Sequence, residues 1–271
     1  TGTVNTAVAG LSFPRLATWL ELPHQPGQGS GSLHLRFDVV QGALARVGTE
    51  FDLRSIEATL GDGLPALRLA QVQGNAVWQR SKDGQRVAFE NLKVALPGSS
   101  LGAPFNMGLA WNATSHEITA QAFSLGGWES LLPSLPMDAA LRTRLQALQP
   151  QGRLDTLRFQ WTGQEPGVDN FSIATRFSGL GVAAVDEGPG LANFSGRIDG
   201  DARAGEFEID AKQMELNLPN LFREPLIGLD ALQAHGRWQK TTRGRLFILE
   251  DAVFSNRDAA GSASGRYELI P

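Results

Sequence analysis

Ala76-Val77-Trp78-Gln79-Arg80-Ser81-Lys82-Asp83-Gly84-Gln85-Arg86-Val87-Ala88-Phe89-Glu90 is a hairpin in writing, and the chain writes it a second time. Residues 63–94 and 223–254 run in step at one constant offset, with no gap. Pro65 falls on Pro225, Leu67 on Ile227, Trp78-Gln79-Arg80 on Trp238-Gln239-Lys240, Gly84 on Gly244, and Glu90-Asn91 on Glu250-Asp251. A self-match at fixed offset means that one structural unit is built twice. Ala76 to Arg80 and Arg86 to Val94 are rich in β-branched and aromatic residues, and Ser81 to Gln85 is a polar turn containing Asp-Gly. In the second copy the strands are Gly236 to Lys240 and Arg245 to Phe254, joined through Thr241-Thr242-Arg243-Gly244. Trp78 and Trp238 stand at strand positions, where paired aromatics ordinarily pack.

The rest of the 271 residues is punctuated in the same way. Thirty-one glycines and fourteen prolines break the chain every eight to fifteen positions, the rhythm of many short strands. Leu33, Leu35 and Phe37 alternate with His34, Arg36 and Asp38. Phe51 and Leu53, Leu109 and Trp111, Phe159 and Trp161, Phe171 and Ile173, Phe207 and Ile209, and Phe247 and Leu249 show the same period of two. Gln25 to Ser32 reads as a loop, Ala43 to Val47 and Glu50 to Leu60 as separate strands, and Gly205 to Ile209 and Gln213 to Leu218 likewise. Arg15 to Leu20 could make one helical turn. Ala139, Ala140, Leu141, Leu145 and Leu148 recur at helical spacing, with Pro136 near the start and Pro150 and Gly152 at the end. The fold class is therefore all-β with minor α. The expected division is 1–130 as a first β unit, 131–150 as a connector with the helix, and 151–271 as a second β unit.

Composition narrows the function. Apolar residues at 42% with 19% charged describe a globular chain, and a net charge of −4 gives no footprint for nucleic acid. Cysteine is absent, which removes disulfides and thiolate metal sites. No run of eighteen apolar residues spans a membrane. The chain begins in mid-pattern at Thr1-Gly2-Thr3, and reads as a piece of a longer protein.

No motif carries chemistry. Gly179-Leu180-Gly181-Val182-Ala183-Ala184 matches a dinucleotide fingerprint, with Asp199 following. That fingerprint needs a helix opening at the glycines, and Gly188-Pro189-Gly190 arrives too early for one. His24, His34, His116 and His235 have no metal-ligand spacing, and read as solvent-facing strand residues. Gly261-Ser262-Ala263-Ser264-Gly265 lacks a central serine, so it is no nucleophile elbow. Asp186-Glu187 and Glu250-Asp251 read as solvated charges in or beside turns. The expectation is no enzyme, no cofactor and no metal.

Leu148-Gln149-Pro150-Gln151-Gly152, Phe177-Ser178-Gly179-Leu180, Gly188-Pro189-Gly190-Leu191, Phe194-Ser195-Gly196 and Leu218-Pro219-Asn220-Leu221-Phe222, followed by Leu232 and Trp238, form an ordered series. In that series the chain resembles the YhdP family of large AsmA-like proteins of Gram-negative envelopes. The resemblance implies a fold: a long, curved and twisted, mainly antiparallel sheet of repeating β-groove units with an open apolar concave side. It also implies a place and a role. The family's periplasmic part is tied to the inner membrane by an N-terminal anchor outside this chain, and it is implicated in moving phospholipid toward the outer membrane. Phospholipids are thus the expected partner, with outer-membrane or periplasmic proteins as further ones, and no catalytic residue carries over.

The alternation agrees with that picture, because a sheet with one apolar face must cover it with a sheet, a helix or a ligand. The expected wall residues are Leu33, Leu35, Phe37, Phe51, Leu53, Phe89, Leu109, Trp111, Phe159, Trp161, Phe171, Ile173, Phe207, Ile209, Phe247 and Leu249. Two other readings stand beside it. A scaffolding β-sandwich would close its apolar faces on each other. A repeat-built β-enzyme would need carboxylates clustered on one exposed face.

Overall fold

The computed structural model describes residues 2–12, 26–185, 188–219 and 225–270. Arg15 to Leu20, His24, Asp186-Glu187 and Asn220-Leu221-Phe222 lie outside them. Two compact units are present: Thr1–Ala113 with Trp128–Arg142, and Thr114–Gly127 with Thr143–Pro271.

In the first unit β1 (Gly2–Ser12), β2 (Pro26–Val40), β3 (Ala43–Ala58), β4 (Leu67–Ser81), β5 (Gly84–Ala95) and β6 (Phe105–Trp111) pair antiparallel in chain order. In the second, β7 (Ser115–Ser124), β8 (Gln151–Thr162), β9 (Phe171–Val182), β10 (Gly190–Asp201), β11 (Ala204–Asn217), β12 (Leu226–Lys240), β13 (Arg245–Ser255) and β14 (Ala260–Leu269) do the same. Each unit is therefore a plain meander. The helical residue content is small: a 3-10 turn at Leu132–Ser134 and α1 at Ala139–Leu148. Asp138 caps α1, its Oδ1 accepting from the Ala140 and Leu141 amides at 2.8 and 3.1 Å. No α1 residue is fully buried, and Leu141 is 50% exposed.

The duplicated hairpin is real and keeps its register. Trp78 lies opposite Val87, and Trp238 opposite Phe247, the equivalent pair. Both turn glycines are pressed against the strand that follows. A Cβ on Gly84 would sit 2.4 Å from the Trp111 carbonyl oxygen, and one on Gly244 would sit 2.1 Å from that of Leu269. The repeat thus extends to a third strand in each copy.

Several strands are longer than alternation alone suggests. Gln25 to Ser32 is no loop from Pro26 onward: Gln28 and Ser30 pair with Glu57 and Arg54 through register shifts. Ala43 to Val47 and Glu50 to Leu60 belong mostly to one strand, β3, and the two segments around Gln213 are one strand, β11. A common device keeps such strands running. Strands carry a residue in the left-handed region, where the apolar phase slips by one and the strand continues. These residues include Ser55 (φ 50°) and Asn91 (φ 52°) in the first unit. In the second they include Ala122 (φ 58°), Gly152 (φ 97°), Gly179 (φ 59°), Asn193 (φ 59°) and Gln213 (φ 50°). The second unit's bulges adjoin from strand to strand. A Cβ on Gly152 would fall 2.4 Å from the Gly179 carbonyl oxygen, and Asn193 Nδ2 donates to the Lys212 carbonyl at 2.7 Å.

The second unit's core sits on one face of its sheet. Phe177, Ile209, Ala211, Met214 and Leu229 are buried there, with Leu154, Leu180, Phe194, Ile198 and Phe207 packed around them. Trp238 lies down over its neighbours' glycines: Cζ2 would be 2.1 Å from a Cβ on Gly205 and 2.7 Å from one on Gly200. Its indole N–H donates to the Asp201 carbonyl at 3.0 Å. Phe207 covers Gly236 in the same way, at 2.4 Å. Gly205→Ala should therefore cost about 1–3 kcal/mol by overpacking, read as a lowered urea midpoint with an unchanged slope.

Candidate functional site: a one-sided apolar face

Cross-strand partners in an antiparallel sheet share a face, so the register sorts every expected wall residue. In the first unit one row runs Val4, Phe37, Val47, Trp78, Val87, Leu109 across six strands. The next runs Thr6, Leu35, Thr49, Ala76, Phe89, Met107. Leu33 pairs with Phe51, Gly31 with Leu53, and Gln85 with Trp111, on the same side. In the second unit one row runs Ile118, Phe159, Ile173, Gly200, Gly205, Trp238, Phe247, Tyr267. Its neighbour runs Ala120, Leu157, Thr175, Ile198, Phe207, Gly236, Leu249, Gly265. Trp161 pairs with Phe171, and Ile209 with Ala234. Within each unit the expected wall residues thus share one face.

The opposite face is polar. In the first unit it presents His34, Arg36, Asp38, Glu50, Asp52, Arg86 and Lys93, and a shallow polar depression lies between Ser32, Glu50, Asn75 and Lys93. Gln71 donates to Asp52 at 2.7 Å and holds that carboxyl below the usual range. In the second unit Arg158 meets Glu117 at 2.8 Å and Arg237 meets Glu250 at 2.7 Å. Such exposed pairs add little stability each, and they keep this face in water. Carboxylates there are interleaved with arginines rather than clustered. Glu250-Asp251 is not beside a turn but inside β13, with Glu250 also 3.1 Å from His235 Nδ1.

The two apolar faces differ in how far they are covered. In the first unit every wall residue is half-buried except Leu109, which is 45% exposed. In the second, Met214 and Ala211 are each 1% exposed and Ile209 is 8% exposed, so the middle of that face is closed by the unit's own side chains. Phe159, Trp161, Phe171, Ile173, Phe207, Phe247 and Leu249 remain half-buried around it.

One residue departs from the sequence reading, and two glycines agree with it. His116 faces the apolar side, stacked on Trp161 with ring centroids 5.1 Å apart and planes 12° from parallel. Its solvent-facing assignment is therefore corrected: its partner across the ladder is an aromatic, not water. Gly179 and Gly181 lie inside β9, so no helix begins there to receive a pyrophosphate. Among the described residues no group of His, Asp and Glu could hold a metal, and no helix is long and apolar enough to cross a membrane.

The two units define a class of β module, an antiparallel meander with one apolar side and one largely charged side. The family model described as YhdP protein matches residues 2–270, and the chain belongs to the YhdP family. Neither a curated protein nor a solved structure matches it.

Proposed function

We propose that this chain is a segment of an intermembrane lipid transporter, holding phospholipid acyl chains on its apolar faces in the periplasm on the way to the outer membrane. The observation that carries the reading is the sorting of the wall residues: in each unit they share one face, and the strands' charges mostly take the other, with Arg80 and Lys240 at the turn rim as exceptions. A single-layer sheet in water leaves such a face uncovered, and hydrocarbon tails match it. Transfer of one acyl chain gains about 0.8 kcal/mol per methylene, on the order of 10 kcal/mol per chain before ordering costs. Residues 1–130 and 151–271 act as two successive groove segments with 131–150 linking them. The chain works without catalysis or cofactor, as a part of a protein anchored in the inner membrane, and outer-membrane or periplasmic proteins could receive its cargo.

The test is native mass spectrometry of the purified chain, with binding of a fluorescent phospholipid. Co-purified diacyl lipid and saturable binding are expected; their absence would count against transport.

A second reading is a non-catalytic envelope scaffold whose apolar faces close on protein. The self-closed patch around Met214 favours it for the centre of the second unit. It expects the same chain to bind no lipid and to keep that face protected from hydrogen exchange.

A further inference from the structure

Resting on the lipid reading, we propose that phospholipid lies on the first unit with its phosphate at the hairpin-turn rim, held by Arg80 above Trp78. Three observations bear on that placement. First, the duplicated stretch places a cation two residues beyond the tryptophan on the same face in both copies, Arg80 after Trp78 and Lys240 after Trp238. Second, the two cations are differently occupied. Lys240 Nζ is 2.7 Å from Asp169, and this hydrogen bond with the ammonium charge keeps the Asp169 carboxyl low. Arg80 is exposed, its guanidinium carbon 5.4 Å from the Trp78 ring centroid, and among the described residues it meets no carboxylate. It is a cation at the mouth of an apolar lane with its charge uncompensated, and a phosphodiester complements it.

Third, the opposite end of the first unit's sheet is stopped. Leu131 and Phe105 are each 6% exposed there, Trp128 packs edge-on to Phe105 at 5.9 Å, and Ser134 Oγ donates to the Ala66 carbonyl at 3.3 Å. A tail can end against that plug, while a hydrated headgroup cannot be accommodated in it.

The experiment measures binding of the full chain to two diacyl probes with identical tails, phosphatidylglycerol and diacylglycerol, in wild type and in Arg80→Gln. Arg80 is on the surface, so the variant keeps the fold, and circular dichroism checks it. Expected is a loss of roughly threefold to tenfold for phosphatidylglycerol and none for diacylglycerol. Equal affinities of wild type and variant for phosphatidylglycerol would overturn the anchor, as would equal losses for both probes. Failure of either probe to bind wild type would instead sink the lipid reading itself. Competition by millimolar inorganic phosphate without any lipid dependence would reassign Arg80 to a free anion and likewise overturn the proposal.

Discussion

Leu109→Asp is expected to reduce phospholipid binding at least tenfold while leaving the melting temperature within a few degrees of wild type. Leu109 ends the row that begins at Val4 and Phe37 and passes Trp78 and Val87. At 45% exposure it contributes little to the unit's own packing. A carboxylate there has water available in the lipid-free protein. Once tails cover the lane it must be desolvated or the tails must withdraw, and burying an unpaired charge costs several kcal/mol. Lipid fluorescence titration and a thermal melt read the two halves of the expectation separately. Binding at wild-type strength would show that hydrocarbon does not lie along this row.

Met214→Ala is expected to show the reverse: destabilisation of the second unit by about 2–5 kcal/mol, from lost transfer energy and the cavity left behind. Met214 is 1% exposed, and its neighbours Phe177, Ile209, Ala211 and Leu229 are themselves buried. Alanine would leave these side chains facing a void they cannot fill without moving the sheet. Urea unfolding measures the loss, and a change below 1 kcal/mol would mean that the patch relaxes freely. Binding to the first unit should survive under conditions where the variant stays folded.

These two residues also mark what could be read without coordinates. Leu109 was legible, because Met107, Leu109 and Trp111 alternate cleanly and the register then aligns them with Val87 and Phe89. The all-β class, both copied hairpins and α1 were legible for similar reasons: period two, Asp-Gly, and helical spacing are local signals. Met214 was not. It follows Gln213, whose φ of 50° slips the alternation, so Ile209 and Ala211 are odd-numbered while Met214 and Leu216 are even, yet all face one way. A plain period-two reading breaks such a strand into two pieces, as it does at β11. The signal was present as a phase change: Leu154 against Leu157, Phe177 against Leu180, and Leu229 against Leu232 all shift by one residue. His116 failed for another reason. Nothing in its flanking residues reports that Trp161 stands directly opposite, since that depends on a partner strand far along the chain.

Trp238 and Phe207 reach across glycines of the neighbouring strands, and Trp238 is buried there. The volume that a methyl group would take at Gly200, Gly205 and Gly236 already belongs to an aromatic ring. Ring and glycine are therefore interlocked parts of one joint: a larger residue at any of the three sockets must push an aromatic out of its seat, and close-packed neighbours have little slack to receive it.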